Sequence, residues 1–508
     1  MAVPLSQKTV ETLAGLGHDV RTPAYDRRRL RPGVLHIGLG NFHRSHMATY
    51  LDRLFARGED QDWAVIGAGV MPADARMRRR LHAQDWLSTV VDLDPEGCSA
   101  RVVGAMVDFV PVVPAAIVRA LADPDVRIVS MTITEGGYFL DAGTGRLDAR
   151  HPRIRADAAD PRRPGTIFGM LVKALAERRA KGHPPFTVLS CDNLPGNGEV
   201  TRSAVVGMAE LVDRDLADWI RREVTFPNSM VDCITPSTTA RERELVSRRF
   251  GIEDAAPVVC EPFRQWVIED RFCAGRPALE RVGVEFVDEV SDHETMKLRI
   301  LNAGHASIAY VAALLGYRQV HTAMGDLDIR EWLSALQERE ILPALRSIEG
   351  KDYHAYRARV VERFRNAEVA DTVSRLCANG STRQPKFILP AIRDALGLGL
   401  PVAGLALELA LWCHYCRVAD DTPGMPPVSD PLSSRLRTGA VEAAKQPRAF
   451  LGIREIFHDL AEAPKLCDAF ARWLALIDSH GPRAAIRHYI DAGGHHSSSF
   501  HTSYAGSS

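Results

Sequence analysis

No charge of either sign dominates this sequence: 63 Lys and Arg stand against 64 Asp and Glu, a formal net charge of −1. A chain so balanced exerts no overall pull on nucleic acid or anionic lipid, so neither is an expected partner. A cysteine framework is missing too. Nine cysteines, an odd number, are scattered through 508 residues, which fits a reducing cytosol rather than a disulfide-stapled fold. The opening residues, Met1 to Ser6, lack the charged start and apolar run of a secretory signal. The longest notable uncharged stretch, Ala395 to Leu407, is too short to span a bilayer and is broken by Gly397, Gly399, Pro401 and Gly404. No repeat of fixed period occurs, which sets aside solenoids and propellers. What remains is ordinary globular composition, 46% hydrophobic and 25% charged, in a chain too long for one core. The expectation is a cytoplasmic enzyme of two or three domains.

The first half alternates strands and helices. Gly33 to Ile37, Trp63 to Ile66, Val126 to Ile133 and Phe186 to Ser190 are short β-rich runs, with helical stretches such as Ala115 to Leu121 and Phe168 to Arg179 between them. Such alternation predicts a mostly parallel sheet covered by helices on both faces. From Thr295 onward apolar residues recur at helical spacing, as in Ile329, Trp332, Leu333 and Leu336, and again around Leu405 to Cys416 and Phe470 to Ile477. The pattern predicts an α/β domain over residues 1–288, a mostly helical domain over 289–490 and a frayed polar tail over 491–508.

Directly after the first strand comes Gly38-Leu39-Gly40-Asn41-Phe42-His43-Arg44-Ser45-His46, opening a helix whose Met47, Tyr50, Leu51, Leu54 and Phe55 share one face. Two glycines let the backbone turn tightly and approach a pyrophosphate. His43 stands where the usual fingerprint has its third glycine, so on the loop alone a glycine turn without a ligand remains the alternative. The second strand ordinarily ends in a carboxylate for the adenosine ribose. Here the nearest, Asp74, comes late and is followed by Arg76, Arg78, Arg79 and Arg80. Spacing alone leaves NAD and NADP both open.

The segment Glu294 to His305 carries the chemistry. On an ideal helical wheel with Lys297 at zero, Glu294 falls near 60°, His305 near 80° and Asn302 near 140°. Polar groups set among aliphatics on a half-buried face serve each other or a ligand. Oxidising a secondary alcohol needs a base for the hydroxyl proton while hydride leaves the same carbon. A partly desolvated lysine does this without a metal, and asparagine NH₂ groups steady the developing alkoxide.

These stretches, with Thr132 to Tyr138 and Ser190 to Gly198, together resemble the mannitol dehydrogenase family from about residue 30 to about residue 490. That family comprises polyol-specific long-chain dehydrogenases and includes fructuronate reductases. The resemblance implies an N-terminal Rossmann-type domain, a mostly α-helical C-terminal domain, a metal-free active site in the cleft between them, and NAD as the usual cofactor. It implies Lys297 as acid/base, Asn193 and Asn302 as oxyanion donors, His305 as the substrate-positioning histidine and Glu294 as the proton-relay gate. Gly38, Leu39, Gly40, Asn41, Phe42, His43 and Arg44, with Thr134 and Glu135, are implied at the cofactor, and Val231, Asp232, Arg375 and Arg383 at the substrate. A sugar alcohol and its ketose are the expected substrate pair.

Two rivals stand beside this reading. A fructuronate reductase needs a cation for the substrate carboxylate, which Arg383 or Lys386 supplies. A non-catalytic dinucleotide-binding regulator would have no use for Lys297, Asn302 and His305 together. Cys413-His414-Tyr415-Cys416 has the spacing of half a metal site, but no second cysteine pair follows it, so core packing is expected there. Arg27 to Arg31 reads as a surface entry loop. Cys191 shows no partner base for a nucleophilic role.

Overall fold

The structure, a computed structural model, describes residues 2–15, 20–141 and 143–494. Of the tail expected to fray over 491–508, residues 491–494 instead complete the helix Pro464–Gly494, and the rest lies outside the described residues. The chain divides into two compact units, Met1–Ser291 and Asp292–Ser508.

At the centre of the first unit is a five-stranded parallel sheet built from β1 (Pro32–Ile37), β2 (Ala64–Ala68), β3 (Met106–Phe109), β4 (Ile128–Met131) and β5 (Thr187–Ser190), in the order β3-β2-β1-β4-β5. Val34, Leu35 and Ile37 of the central strand are buried, as expected where helices cover both faces of a sheet. The chain passes from β1 outward to β3 on one side and then returns to β4 on the other. Strand order therefore reverses beside β1, and the crevice at the C-terminal ends of β1 and β4 is where such sheets bind ligands. Helix α1 (Asn41–Ser45) and helix α2 (Met47–Ala56) follow β1. The face of α2 expected from sequence, Met47, Tyr50, Leu51, Leu54 and Phe55, is buried throughout. Helix α3 (Pro72–His82) follows β2.

Besides a two-stranded parallel pair, Val3–Pro4 with Ile252–Glu253, two smaller sheets belong to the same unit and were not expected from the sequence. In one, Ser88–Asp92 pairs antiparallel with Ser99–Val103 and parallel with Val258–Cys260. In the other, Ser229–Asp232 pairs antiparallel with Gln265–Glu269, setting Asp232 opposite Gln265.

The second unit is helical and contains no strand among the described residues. Trp332, Trp412, Phe450, Phe457 and Phe470 fill its core. The helix expected around Ile329 spans Leu327–Leu336, and its four marker residues are fully buried. The apolar run around Leu405 becomes a helix, Ala403–Val418. Its first N–H groups, on Gly404 and Leu405, donate to the buried Glu340 carboxylate at 2.6 and 2.9 Å, an anion placed where the helix dipole favours one. Cys413 and Cys416 are buried in this helix, as core packing predicts. No described helix is long and apolar enough to cross a membrane.

Candidate active site

The two glycines of the turn after β1 serve different purposes. Gly38 has φ +92°, and a Cβ added there would lie 2.1 Å from the Thr132 carbonyl oxygen. Only glycine fits that backbone. Gly40 has an ordinary φ of −84°, and a Cβ there would meet nothing nearer than the Gly38 carbonyl at 3.8 Å. The space above Gly40 is open, which is the room a pyrophosphate needs to reach the backbone.

Beneath the turn the side chains are committed to the protein. Asn41 donates from Nδ2 to the Pro236 carbonyl (3.1 Å) and the Thr238 hydroxyl (3.0 Å), while its Oδ1 accepts from Arg44 Nη2 at 2.7 Å. Arg44 is buried and also donates to the carbonyls of Gly40 and Ala256. His43, where the fingerprint has glycine, is buried and stacks on His36 with ring centroids 3.7 Å apart. Burial holds both imidazoles neutral, His36 at about 3 and His43 well below the ordinary histidine value. Leu39 is buried and Phe42 half-buried against His46. His43, Arg44 and the Asn41 side chain thus brace the loop from within, leaving the backbone around Gly40 to face outward.

Asp74 is late in sequence but not in space. Its carboxylate folds back to accept the Met71 N–H at 2.8 Å, closing the first turn of α3. A Cβ on Gly69 would lie 2.5 Å from its Oδ2. The carboxylate therefore stands at the C-terminal end of β2, the place where a ribose hydroxyl is held. Arg78 is turned away, donating to the Phe109 carbonyl at 2.6 Å, and Arg76, Arg79 and Arg80 are exposed.

A second anchor joins the ends of β4 and β5. Asp192, immediately after β5, accepts the N–H groups of Ile133 and Thr134, each at 3.0 Å, and the Tyr138 hydroxyl at 2.8 Å. Burial raises its carboxyl even so, with these bonds opposing. Thr134 is held at φ +61°, and both it and Glu135 are exposed. Asn193 follows Asp192 and is exposed at the tip of its turn. Cys191 is buried and its thiol is pushed up by that burial, which removes it as a nucleophile. Val231 and Asp232, at the end of their strand, are buried. Asp192 is the residue that sequence reading passed over; the signal was an acidic residue directly after an apolar strand, with backbone donors in a neighbouring loop.

In the second unit, helix α4 (Ser291–Lys297) passes through a π-turn over Leu298–Asn302 into helix α5 (Ala303–Leu314). The wider turn is marked by the Ala303 N–H reaching the Leu298 carbonyl, five residues back. This corrects the ideal wheel. A π-turn advances by roughly 80° per residue, so Asn302 shifts to about 40° and His305 to within about 20° of Lys297. Glu294, Lys297, Asn302 and His305 then share one narrow face. Lys297 and His305 are buried, at 6% and 7% exposure, and Glu294 and Asn302 are half-buried. The Asn302 Oδ1 is buried without a hydrogen-bond partner among the described residues. Its terminal torsion is two-fold and broad, so either amide atom can occupy that spot.

His305 stacks on Phe364 with centroids 3.9 Å apart. Its imidazole is held well below the ordinary value, first by burial and then by Arg375, Arg383 and Arg363. It is a neutral hydrogen-bonding group in the field of three guanidiniums. Arg375 is paired with Asp371, its Nε 2.6 Å from Oδ1. Arg383 donates to the carbonyls of Arg375 and Leu376, both at 3.1 Å. Arg363 was not anticipated, although an arginine beside Val360 and Phe364 on the buried face of Tyr353–Arg365 is a signal of its own. Among the described residues no group of three His, Cys, Asp or Glu side chains is placed to hold a metal.

Two family models match the chain: the mannitol dehydrogenase Rossmann domain over residues 32–281 and the mannitol dehydrogenase C-terminal domain over residues 289–477. The mannitol 2-dehydrogenase of Cereibacter sphaeroides is 52% identical over 475 residues, 93% of this chain and 99% of the relative. Among solved structures, the Pseudomonas fluorescens mannitol 2-dehydrogenase in ternary complex with NAD and D-mannitol superposes with a TM-score of 0.86 at 38% identity, covering 96% of this chain and all of that one. A D-sorbitol dehydrogenase in substrate-free form gives the same TM-score at 33% identity, with 95% and 100% coverage.

Proposed function

The chain belongs to the mannitol dehydrogenase family and is an oxidoreductase acting on a polyol; within that class we propose that it interconverts mannitol and fructose with NAD, in the cytoplasm, using Lys297 as acid/base. The observation that carries the mechanism is the single face formed by Glu294, Lys297, Asn302 and His305 around the π-turn.

When bound, NAD supplies the acceptor for the hydride of the alcohol carbon. The open backbone at Gly40 suits its pyrophosphate, and the Asp74 carboxylate at the end of β2 suits a free ribose hydroxyl while repelling a 2′-phosphate. In oxidation Lys297 Nζ takes the hydroxyl proton as the carbon gives up hydride, and the alcohol C–O becomes a carbonyl. Amide N–H groups of Asn302 and Asn193 donate to the oxygen as its charge develops. His305, neutral at working pH, exchanges a hydrogen bond with a hydroxyl of the substrate. Glu294 lies one turn before Lys297 and passes the proton on to water. Asp232 with Val231, and Arg375 with Arg383, contact the remaining hydroxyls.

Fructuronate as substrate is the second reading, favoured by Arg383, a half-buried cation with hydrogen bonds to the neutral carbonyls of Arg375 and Leu376. Initial rates with mannitol, arabinitol, sorbitol, fructose and fructuronate, each with NAD(H) and NADP(H), test both. The expected result is highest kcat/KM for mannitol and fructose with NAD(H). Preference for fructuronate, or for NADP(H), overturns it.

A further inference from the structure

Directly behind the arginine read as gripping substrate is a buried acid that the mechanism does not use. Glu408 lies on the helix Ala403–Val418, hereafter α8, and is 1% exposed. Arg383 lies on Gly380–Phe387, hereafter α7, and its neighbour Gln384 is fully buried. Gln384 Nε2 donates to Glu408 Oε1 at 2.6 Å. Two atoms of this pair, Gln384 Oε1 and Glu408 Oε2, are buried with no hydrogen-bond partner among the described residues. Both are acceptors when the carboxyl is ionised. One proton on Glu408 Oε2 converts it to a donor and satisfies both atoms at once, closing the ring that a carboxylic acid and a primary amide form together.

We propose that Glu408 is a positioning residue for substrate capture, its neutral carboxyl closing a two-bond ring with the Gln384 amide that fixes the helix bearing Arg383. The start of α7 has little slack against the same neighbours: a Cβ on Gly380 would lie 2.7 Å from the Tyr310 hydroxyl and 2.8 Å from Trp412 Nε1. Tyr310 is on α5, the helix of His305, and Trp412 stands one turn beyond Glu408. The ring is therefore a polar bond across the seam that sets Arg383 relative to His305.

The surroundings keep the acid neutral. Burial pushes Glu408 up to about 8, opposed only by the Gln384 bond, so no charge from the helices packed on α8 enters. The titratable groups nearby, Tyr310 on α5, Cys377 on α6 (Val373–Cys377) and Cys416 on α8 itself, are all raised by burial and stay neutral with it. Loss of the proton sets Glu408 Oε2 against Gln384 Oε1, acceptor against acceptor, and opens the ring. Arg383 then loses its fixed place, while Lys297 keeps its own.

The inference rests on reading Arg383 as a substrate contact. It is tested by measuring KM and kcat for mannitol at saturating NAD from pH 6.5 to 9.5, with full-length wild type and Glu408→Gln. Two amides close the same ring without a proton. In the wild type KM should climb above pH 8, by up to about tenfold one unit higher if the ionised form does not bind. In Glu408→Gln, KM should stay flat. A KM that stays flat in the wild type, or climbs equally in Glu408→Gln, overturns the inference and leaves the proposed function standing. Should Glu408→Gln fail to fold, Gln384→Met carries the test: it should show a raised KM at every pH with no step near 8, and a wild-type profile in it overturns the inference. A wild type inactive on every polyol overturns the function, and the inference with it.

Discussion

The Asp192 carboxylate accepts the backbone N–H of Thr134 at 3.0 Å, and Thr134 is a threonine held at φ +61°. A side chain on the turn after β5 thereby keeps the loop after β4 in a conformation that β-branched residues avoid. Asp192→Ala should cost roughly 3 kcal/mol, since three donors lose a charged acceptor. It should also weaken NAD binding, because Thr134 and Glu135 leave the shape the cofactor meets. Thr134→Gly in the same background should recover part of both losses by removing the strained φ. Calorimetry and cofactor titration on the two single variants and the double variant measure this coupling; strictly additive effects would separate the clamp from the strain.

The two glycines of the nucleotide turn should fail in different ways. Gly38→Ala places a Cβ against the Thr132 carbonyl and at a positive φ, so it should lower the melting temperature. Gly40→Val has room in the protein and should leave the fold intact. It should raise the NAD(H) dissociation constant by roughly tenfold, about 1.4 kcal/mol. Unchanged cofactor titration in a folded Gly40→Val protein would remove the turn from the cofactor site.

Lys297→Ala should bind NADH normally and oxidise mannitol ~10²–10⁴-fold more slowly, the range expected for loss of a general base. Small primary amines added to the variant should restore part of the rate by entering the vacated space. Wild-type activity should survive exhaustive EDTA treatment, because a lysine base needs no metal-bound water. Near-normal turnover in the variant, or loss on chelation restored by zinc, would sink the lysine mechanism.

Acid should destabilise the protein through its buried imidazoles. His36, His43 and His305 are all held below the ordinary value by burial. In the unfolded chain each takes a proton near pH 6.5, so the stability they contribute is complete above that point and lost as pH falls below it. Glu408 acts in the opposite sense between about pH 4.5 and 8. The informative quantity is therefore the difference between wild type and His305→Gln. Its melting-temperature advantage over the variant should shrink from pH 7 to pH 5; a constant difference would mean that folding leaves the His305 pKa unshifted.

Four of the five strands of the main sheet were legible because each is a compact apolar run ending near glycine or a turn. The fifth, Met106–Phe109, is four residues long with Asp108 inside it, and its identity comes from pairing with β2 rather than from its own composition. The narrow polar face on α4 and α5 was legible in membership but not in geometry. Lys297, Asn302 and His305 were identified as a group, yet a uniform wheel spread them over about 140°, because a π-turn is set by packing and leaves no mark in residue preference. Asp74 shows the reverse case: sequence distance made it look misplaced, and one side-chain-to-backbone bond returns it to the end of its strand.

The π-turn also constrains how this chain can change in length. Between Lys297 and Asn302 the helix carries one residue more than an α-helix would use, so its two halves are set in phase by a count as well as by residue type. Substitutions in this stretch exchange one side chain for another. Deleting any one of Leu298, Arg299, Ile300 or Leu301 would let the segment relax to a plain α-helix with His305 seven residues after Lys297, about 20° from it on the wheel, so the catalytic face would keep its phase and lose only the wide turn. A chain with this helix can therefore lose one residue there and keep the face aligned, whereas loss of a second would turn α5 by roughly 100° against Lys297.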